Sequence, residues 1–289
     1  MEDKRLRILI TGSSGRIGTA VCERIAREAE VIGLDLRPGP WTTTLGDITN
    51  AKLVESLVRR VDAIVHVAAL LTPHVGRRSE EEFRQVNVEG TRILLAAALQ
   101  AGVRRFVLTS TTSVYGCTSR PKDRALWVTE ELEPYPEDIY DLTKLEAERS
   151  CREASGPDLS AVVLRMSRCF EEPDHLLAFY RLYRGVDRRD VAEGHWLAAT
   201  VPLEGFEILN LSAETPFEAG DVDLLWTDPW RVIDERAPEL RRAFLQWGWD
   251  LPPRIDRVYV IDKARRILGY RPQYGVRAVL GREAGVLSG

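Results

Sequence analysis

Residues 11–18 read TGSSGRIG, a glycine-rich turn set between the apolar run RILIT (7–11) and a segment, 16–28, whose Ile17, Ala20, Val21 and Ile25 share one helical face. Few architectures feed a strand into a helix through glycines at 12, 15 and 18. Glycine lets the backbone turn sharply and approach a ligand closely, while a helix start offers free N–H groups and a partial positive charge, so the turn suits a pyrophosphate. Such a turn can also do no more than join strand to helix, and the rest of the chain decides between the two.

The surroundings read as α/β. VIGLD (31–35) is a second apolar strand ending in an acid, and further strands are expected at 63–68, 105–110 and 160–165, separated by helices at about 51–59, 80–101 and 137–154. Near-continuous apolar strands alternating with amphipathic helices predict a Rossmann-type, doubly wound parallel sheet covered on both faces. After residue 165 the rhythm weakens, prolines stand at 173, 202, 216, 229, 238, 252 and 253, and five of the seven tryptophans follow. The expected division is a dinucleotide-binding domain over 1–165 and a small, mostly C-terminal substrate-binding part over 166–289, with segments near 186–212 returning to the sheet. Helical pieces are expected at 187–199, 238–248 and 262–268, and no signal follows Gly275.

With 40 basic and 44 acidic residues the net charge is −4, which provides no basic footprint for nucleic acid. Cys22, Cys117, Cys151 and Cys169 make no Cys-x-x-Cys pair, and His66, His74, His175 and His195 show no metal-ligand spacing, so no zinc knuckle, disulfide framework or other metal site is expected. His66 reads as packed at a strand end. The opening MEDKRLRILI is too short in its apolar part for a signal peptide or a membrane span, so the chain reads as cytoplasmic with no membrane partner.

Asp35 closes the second strand about 20 residues beyond the glycine turn, where a carboxylate accepts from a ribose 2′-OH and repels a 2′-phosphate. This favours NAD over NADP, although Arg37, two residues on, is able to partner a 2′-phosphate. The competing reading of Asp35 is a solvated strand-end carboxylate. Asp47, in LGDIT with Ile48, either reaches an adenine edge or caps the helix starting near Ala51. Tyr140 and Lys144 in YDLTK stand four apart on a helix and share a face. A phenol with an ordinary pKa of about 10 becomes a working base when an ammonium and an oxidised nicotinamide both stabilise the phenolate. Upstream, TSTTSVYG (109–116) sets hydroxyls at the carboxyl edge of the sheet, where they either bind a substrate oxygen or cap the loop.

In combination these residues resemble the extended short-chain dehydrogenase/reductases, the NAD-dependent epimerase/dehydratase family. TGSSGRIG, the acid of VIGLD, GDIT, HVAAL (66–70), VNVEGT (86–91), TSTTSVYG, YDLTK and LRMSRCF (164–170) match in order and spacing over roughly 6–200. The resemblance implies that Tyr140 is the catalytic acid/base, that Lys144 is its partner and touches the nicotinamide ribose, and that Thr111 binds the reacting oxygen, with Ser110, Thr112 and Ser113 as competitors. Gly12, Ser14, Gly15, Arg16, Ile17, Gly18, Asp35, Asp47, Ile48, Ala68, Ala69, Asn87 and Ser110 would line the cofactor together with Tyr140 and Lys144. Arg168 is the expected substrate contact beside Thr111, Thr112 and Ser113, since an arginine fork suits a carboxylate or phosphate; the competing reading of Arg168 and of its neighbours Arg165, Arg181, Arg184, Arg188 and Arg189 is a solvated basic face or salt bridges with Glu171, Glu172 and Asp187.

Two departures bear on the substrate. Arg165-Met166 stands where sugar-nucleotide enzymes of the family show Arg-Pro, and only a short stretch, 171–185, precedes VDRRDVAEGH. This is more similar to uronate dehydrogenases. The expected activity is hydride transfer between NAD and a secondary alcohol or ketone of a small polar, sugar-like or sugar-acid substrate, in a homodimer paired through 80–101 and 137–154. The alternatives are a sugar or nucleotide-sugar epimerase or dehydratase with tightly bound NAD, and a non-catalytic dinucleotide sensor.

Overall fold

The computed structural model describes residues 5–116, 123–250 and 253–286. Cys117 and Pro252 lie outside them. In chain order the elements are β1 (Arg7–Thr11), α1 (Arg16–Ile25), β2 (Glu30–Asp35), β3 (Thr44–Leu45), α2 (Ala51–Val58), β4 (Ala63–His66), α3 (Glu80–Phe83), α4 (Gly90–Ala101), β5 (Arg105–Thr111), β6 (Leu126–Val128), α5 (Ile139–Ala154) and β7 (Ser160–Met166). They continue with α6 (Asp174–Arg181), α7 (Arg188–Thr200), β8 (Phe206–Leu211), α8 (Val222–Thr227), α9 (Pro229–Arg236), α10 (Pro238–Gln246), β9 (Arg257–Tyr259), α11 (Asp262–Leu268) and α12 (Val276–Val286).

Seven strands form one sheet in the order β3-β2-β1-β4-β5-β7-β8, and the pairs β1/β2, β1/β4, β2/β3 and β4/β5 are parallel. The chain is therefore of the Rossmann-type α/β class. The order reverses direction between β1 and β4, and ligands of such sheets bind at the carboxyl ends of the strands flanking this switch point. The glycine turn leaves β1 there, and Ala68 and Ala69 follow β4.

The chain divides into two compact units. One comprises Met1–Tyr115, Pro134–Arg165 and Val191–Leu209; the other comprises Gly116–Glu133, Met166–Asp190 and Asn210–Gly289. The boundary is thus crossed more often than a single division at 165 describes, because 116–133 belongs to the second unit. There β6 pairs with β9 in a small parallel sheet. The first unit's core is mostly aliphatic, with Leu9, Leu34, Val54, Ile64, Leu94, Leu108 and Val163 buried together with Phe106. The second has its own core of Phe179, Leu182, Leu225, Ile233, Leu240, Phe244 and Val279.

Local chemistry explains the element ends. Asp138 caps α5 by accepting from the Asp141 N–H, and Asp228 caps α9 ahead of Pro229 at its first position. The cap of α2 is Asn50, whose side chain accepts from the Leu53 N–H at 3.3 Å, while Asp47 closes a turn on the Thr49 N–H at 2.9 Å. The capping role considered for Asp47 therefore belongs to Asn50. The expected helix over 80–101 is continuous, but Arg84–Glu89 is wound as a π-helix, an arrangement frequent at functional sites. Within the tail beyond Gly275, which carries no sequence signal, Val276–Val286 forms α12.

Candidate active site

The glycine turn is built by necessity at two of its three glycines. Gly12 has φ +75°, and a Cβ there would stand 2.7 Å from the Ala68 backbone nitrogen; a Cβ on Gly18 would stand 1.9 Å from the Gly12 carbonyl oxygen. Both positions thus require glycine for close backbone approach. Gly15 caps α1 without a side-chain bond, so the first-turn N–H groups of Arg16, Ile17 and Gly18 lack an intrahelical acceptor. Asp35 ends β2 beside them. Its carboxylate accepts from the Ser14 N–H at 2.9 Å and the Arg37 N–H at 3.0 Å, which fixes it over the turn while leaving lone pairs for further donors. The Ser14 hydroxyl is held by the Arg37 carbonyl and by Thr42, 2.8 and 2.6 Å away. Arg37 itself is exposed. Ile48 is buried and would meet a Cβ on Gly90, so it spaces the loop after β3 from α4.

Behind the turn runs a buried polar network. Thr11 Oγ1 bonds His66 Nδ1 at 2.7 Å, His66 Nε2 bonds Thr91 Oγ1 at 3.0 Å, and Thr91 donates to the Asn87 carbonyl at 2.6 Å. Since the single Thr91 hydrogen goes to Asn87, His66 must carry its proton on Nε2, with Thr11 donating to Nδ1. Asn87 clamps two segments together. Its amide oxygen accepts from the Leu70 N–H at 2.7 Å, and its amide nitrogen donates to the Leu70 carbonyl and to Thr143 Oγ1, both at 3.0 Å. Thr143 adjoins Lys144, so Asn87 ties the segment after β4 to the helix bearing Tyr140. Asn87 is buried, with both amide ends engaged in this clamp.

Burial pushes His66 down to about 3 and His195, bonded to Thr109 at 2.7 Å, down to about 4. Both are neutral in the folded chain, whereas an unfolded histidine protonates near pH 6.5. The unfolded state then binds more protons below that pH, so stability falls with pH from about 6.5 to about 4 for His195 and to about 3 for His66. Between pH 7 and pH 5 the loss is expected to be roughly 2 kcal/mol per histidine. Urea midpoints at the two pH values check this, and His195→Gln should show a shallower pH dependence than the unsubstituted chain.

The hydroxyl run sorts itself by burial. Ser110 is buried and donates to Glu148 Oε1 at 2.5 Å, and Thr112 is buried, while Thr111 and Ser113 are half-buried. Ser110 thus commits its hydroxyl to Glu148, and Thr111 is the hydroxyl that faces Tyr140. Burial holds the Tyr140 phenol above its ordinary value, with the Thr111 hydrogen bond acting the other way and Asp141 and Asp138 adding to the rise. Lys144, buried one turn further along α5, is lowered to about 8 by burial, against the pull of Glu148. Glu148, four residues further along α5, is the anion that acts on its ammonium.

Glu148 and Asp141 are the acids that spacing did not single out. Glu148 stands four residues after Lys144, and Arg165 forks onto it at 3.1 and 2.7 Å while lying over the Tyr115 ring. The i, i+4 spacing from Lys144 was the available signal. Arg168, the expected substrate contact, lies in the second unit, where it forks onto Glu172 at 3.1 and 2.5 Å and lies over Phe170 and Tyr180. Arg181 and Arg189 are similarly held by Asp187. The second unit also has a cavity of about 540 Å³ lined by His175, Leu176, Phe179, Tyr180 and Trp249. Trp196, Trp226 and Trp230 each lie under an arginine instead. Among the described residues no cluster of potential metal ligands occurs, and no helix is long and apolar enough to cross a membrane.

The profile of the NAD dependent epimerase/dehydratase family matches residues 8–173, more than half of the chain. The chain belongs to that family. Among its relatives is a 3-beta-hydroxysteroid dehydrogenase of Mycolicibacterium neoaurum, 43% identical over 119 residues, or 37% of this chain and 32% of that protein. The 3 beta-hydroxysteroid dehydrogenase/Delta 5-->4-isomerase of Mycobacterium tuberculosis is 28% identical over 331 aligned positions, 95% of this chain and 88% of the relative. A short-chain dehydrogenase/reductase superfamily protein from Agrobacterium tumefaciens, solved with bound NAD, superposes at a TM-score of 0.70 with 24% identity, covering 96% of each chain. A mutated uronate dehydrogenase reaches a TM-score of 0.69 at 20% identity over 95% of this chain and 84% of that one. These likenesses to solved structures establish the fold.

Proposed function

We propose that this member of the family is an NAD-dependent dehydrogenase that oxidises a secondary alcohol to a ketone, or runs the reverse, with Tyr140 as acid/base, Lys144 as its cationic partner and Thr111 holding the reacting oxygen. The observation that carries this is that Tyr140 and Lys144 are both buried one helical turn apart on α5, with Thr111 facing the phenol.

The residues fit a dinucleotide. Gly12 and Gly18 open space that any side chain would close, Arg16, Ile17 and Gly18 present free N–H groups, and Asp35 presents a fixed carboxylate suited to a ribose diol. Bound there, NAD supplies the hydride acceptor. The chain's own part is proton handling. Tyr140 and Lys144 are each costly to ionise alone in a buried site, and forming phenolate beside ammonium offsets both costs. The phenolate oxygen then takes the proton of the substrate hydroxyl, while Thr111 orients that oxygen by hydrogen bonding.

For the substrate, Arg168, the expected anion contact, is already paired with Glu172, and of its neighbours Arg165 is paired with Glu148 and Arg181 and Arg189 with Asp187, while Arg184 lies over Tyr180 and Tyr183. Breaking such a pair to seat an anion leaves a carboxylate unpaired. This supports an uncharged, apolar ring-bearing alcohol over the small sugar acid expected from the short 171–185 stretch, and the steroid dehydrogenase relatives point the same way. Offering NAD with a 3β-hydroxysteroid, a uronate or UDP-glucose tests the reading. NADH formed with the hydroxysteroid is the expected result; NADH formed with the uronate restores the sugar acid, and epimerised UDP-glucose without net NADH makes the chain an epimerase.

Asp35 sets the cofactor choice in this reading. Asp35→Asn keeps an acceptor for the turn but removes the charge that repels a 2′-phosphate, so NADP affinity should rise by about tenfold while NAD affinity falls, as titration of both nucleotides would show. The family resemblance also supports a homodimer paired through α4 and α5, where Leu99 and Leu142 are 46% and 42% exposed; sedimentation as a monomer at micromolar concentration would overturn it.

A further inference from the structure

Glu148 stands four residues after Lys144 on α5, a spacing that sets two Cβ atoms about 5–6 Å apart on one helix face. Both side chains are buried. A buried anion and cation so placed have every electrostatic reason to close on each other. Here the carboxylate is gripped from outside the helix: Oε1 accepts from Ser110 Oγ at 2.5 Å and from Arg165 Nε at 3.1 Å, and Oε2 accepts from Arg165 Nη2 at 2.7 Å. Ser110 lies near the end of β5 and Arg165 on β7, neighbouring strands of the sheet. Arg165 is itself buried, with its guanidinium 4.8 Å from the centre of the Tyr115 ring. Three of the roughly four acceptor positions of the carboxylate are thereby taken.

We propose that Arg165 and Ser110 form a clamp that withholds the Glu148 carboxylate from Lys144, so that the ammonium stays available to Tyr140. This rests on the reading of Lys144 as the cationic partner of Tyr140. The arrangement meets two demands. A buried lysine needs an anion nearby to stay charged: burial lowers Lys144 to about 8, and Glu148 opposes that fall. Yet a closed ion pair with Glu148 would neutralise the charge that has to stabilise the phenolate. Holding the carboxylate on the strands satisfies both. The other titratable groups that act on Lys144 or feel it carry no charge, since burial pushes the Cys151 thiol of α5 up and His66, at the end of β4, down. Tyr140 faces Asp138 and Asp141 at the other end of the pair. Arg165, Ser110 and Glu148 are positioning residues in this scheme, acting on Tyr140 through Lys144.

The test reads Lys144 directly. The chain has five lysines, so NMR of lysine-labelled protein gives a Lys144 Cε titration once the Lys144→Met spectrum is subtracted. Arg165→Lys keeps the charge and gives up the fork, which frees Glu148 for Lys144 and should raise the Lys144 midpoint by about one pH unit. Ser110→Ala leaves every charge in place, removes one bond to the carboxylate and should raise the midpoint by a smaller step. Glu148→Gln, whose amide oxygen still accepts from Arg165, should lower it by about one unit, and in that background Arg165→Lys should move it by less than half as much as before. An unchanged midpoint in either Arg165→Lys or Ser110→Ala would overturn the clamp. So would an equal shift from Arg165→Lys with and without the Glu148 charge, because Arg165 would then act by its own charge alone. In steady-state kinetics with NAD and the hydroxysteroid, Arg165→Lys should lower kcat about tenfold at nearly unchanged KM, and an unchanged kcat beside a raised midpoint would overturn the link to Tyr140. The underlying reading fails separately, when Lys144→Met retains full turnover.

Discussion

Tyr140→Phe should lower kcat by about 10²–10⁴-fold and leave the NAD dissociation constant within a few-fold of its original value. The phenyl ring keeps the packing of Tyr140 against Phe83 and Ile139 and removes the oxygen that Thr111 faces. Because the lost interaction is made with the reacting oxygen, kcat and kcat/KM should fall together. Lys144→Met would separate the partner role from the acid/base role: it keeps a buried apolar stem in place and removes the charge beside Tyr140, so turnover and NAD affinity should fall. Steady-state kinetics with direct nucleotide titration distinguishes the two residues.

Gly18→Ala should weaken NAD binding by about 10–100-fold, the affinity equivalent of roughly 1–3 kcal/mol of local strain. The added Cβ would stand 1.9 Å from the Gly12 carbonyl oxygen, and backbone on both sides has to move to admit it. Any such movement displaces the Arg16, Ile17 and Gly18 N–H groups together with the turn that Asp35 anchors through Ser14. Gly205→Ala is the matched control. Its φ of +68° strains any side chain, but a Cβ there meets open space, so it should cost stability without changing NAD affinity. Circular dichroism melts and calorimetric NAD titrations of the two variants read the difference.

The legible parts of the site were those whose chemistry depends on near neighbours in sequence. A glycine turn between strand and helix, an acid at the end of the next strand, and Tyr140 four residues before Lys144 are all local patterns with one physical meaning each. The obscure parts depended on which partner a side chain finds in space. Ser110 and Thr111 are adjacent hydroxyls, and only the direction of β5 at its end turns Ser110 inward to Glu148 and leaves Thr111 facing Tyr140. Asp47 and Asn50 are both good caps three residues apart, and the chain uses the second. Arg168 was open both to a substrate anion and to a salt bridge with Glu172, four residues on, and the fold gives it the salt bridge. The second unit was the hardest to read, since α8, α9 and α10 are short and end at turns, and β6 finds β9 across most of the C-terminal half. Its apolar residues serve a core of their own that no single periodic segment announces.

The central claim is that hydride passes between the carbinol carbon of a secondary alcohol and NAD while Tyr140 handles the proton. The most direct measurement supplies the chain with NAD and a 3β-hydroxysteroid deuterated at the carbinol carbon, then weighs the nucleotide and the steroid. Deuterium recovered in NADH, in equal amount to the ketone formed and absent with Tyr140→Phe, is the predicted result. Deuterium that stays on the alcohol, with no ketone and no labelled NADH from any alcohol in the panel, would contradict it.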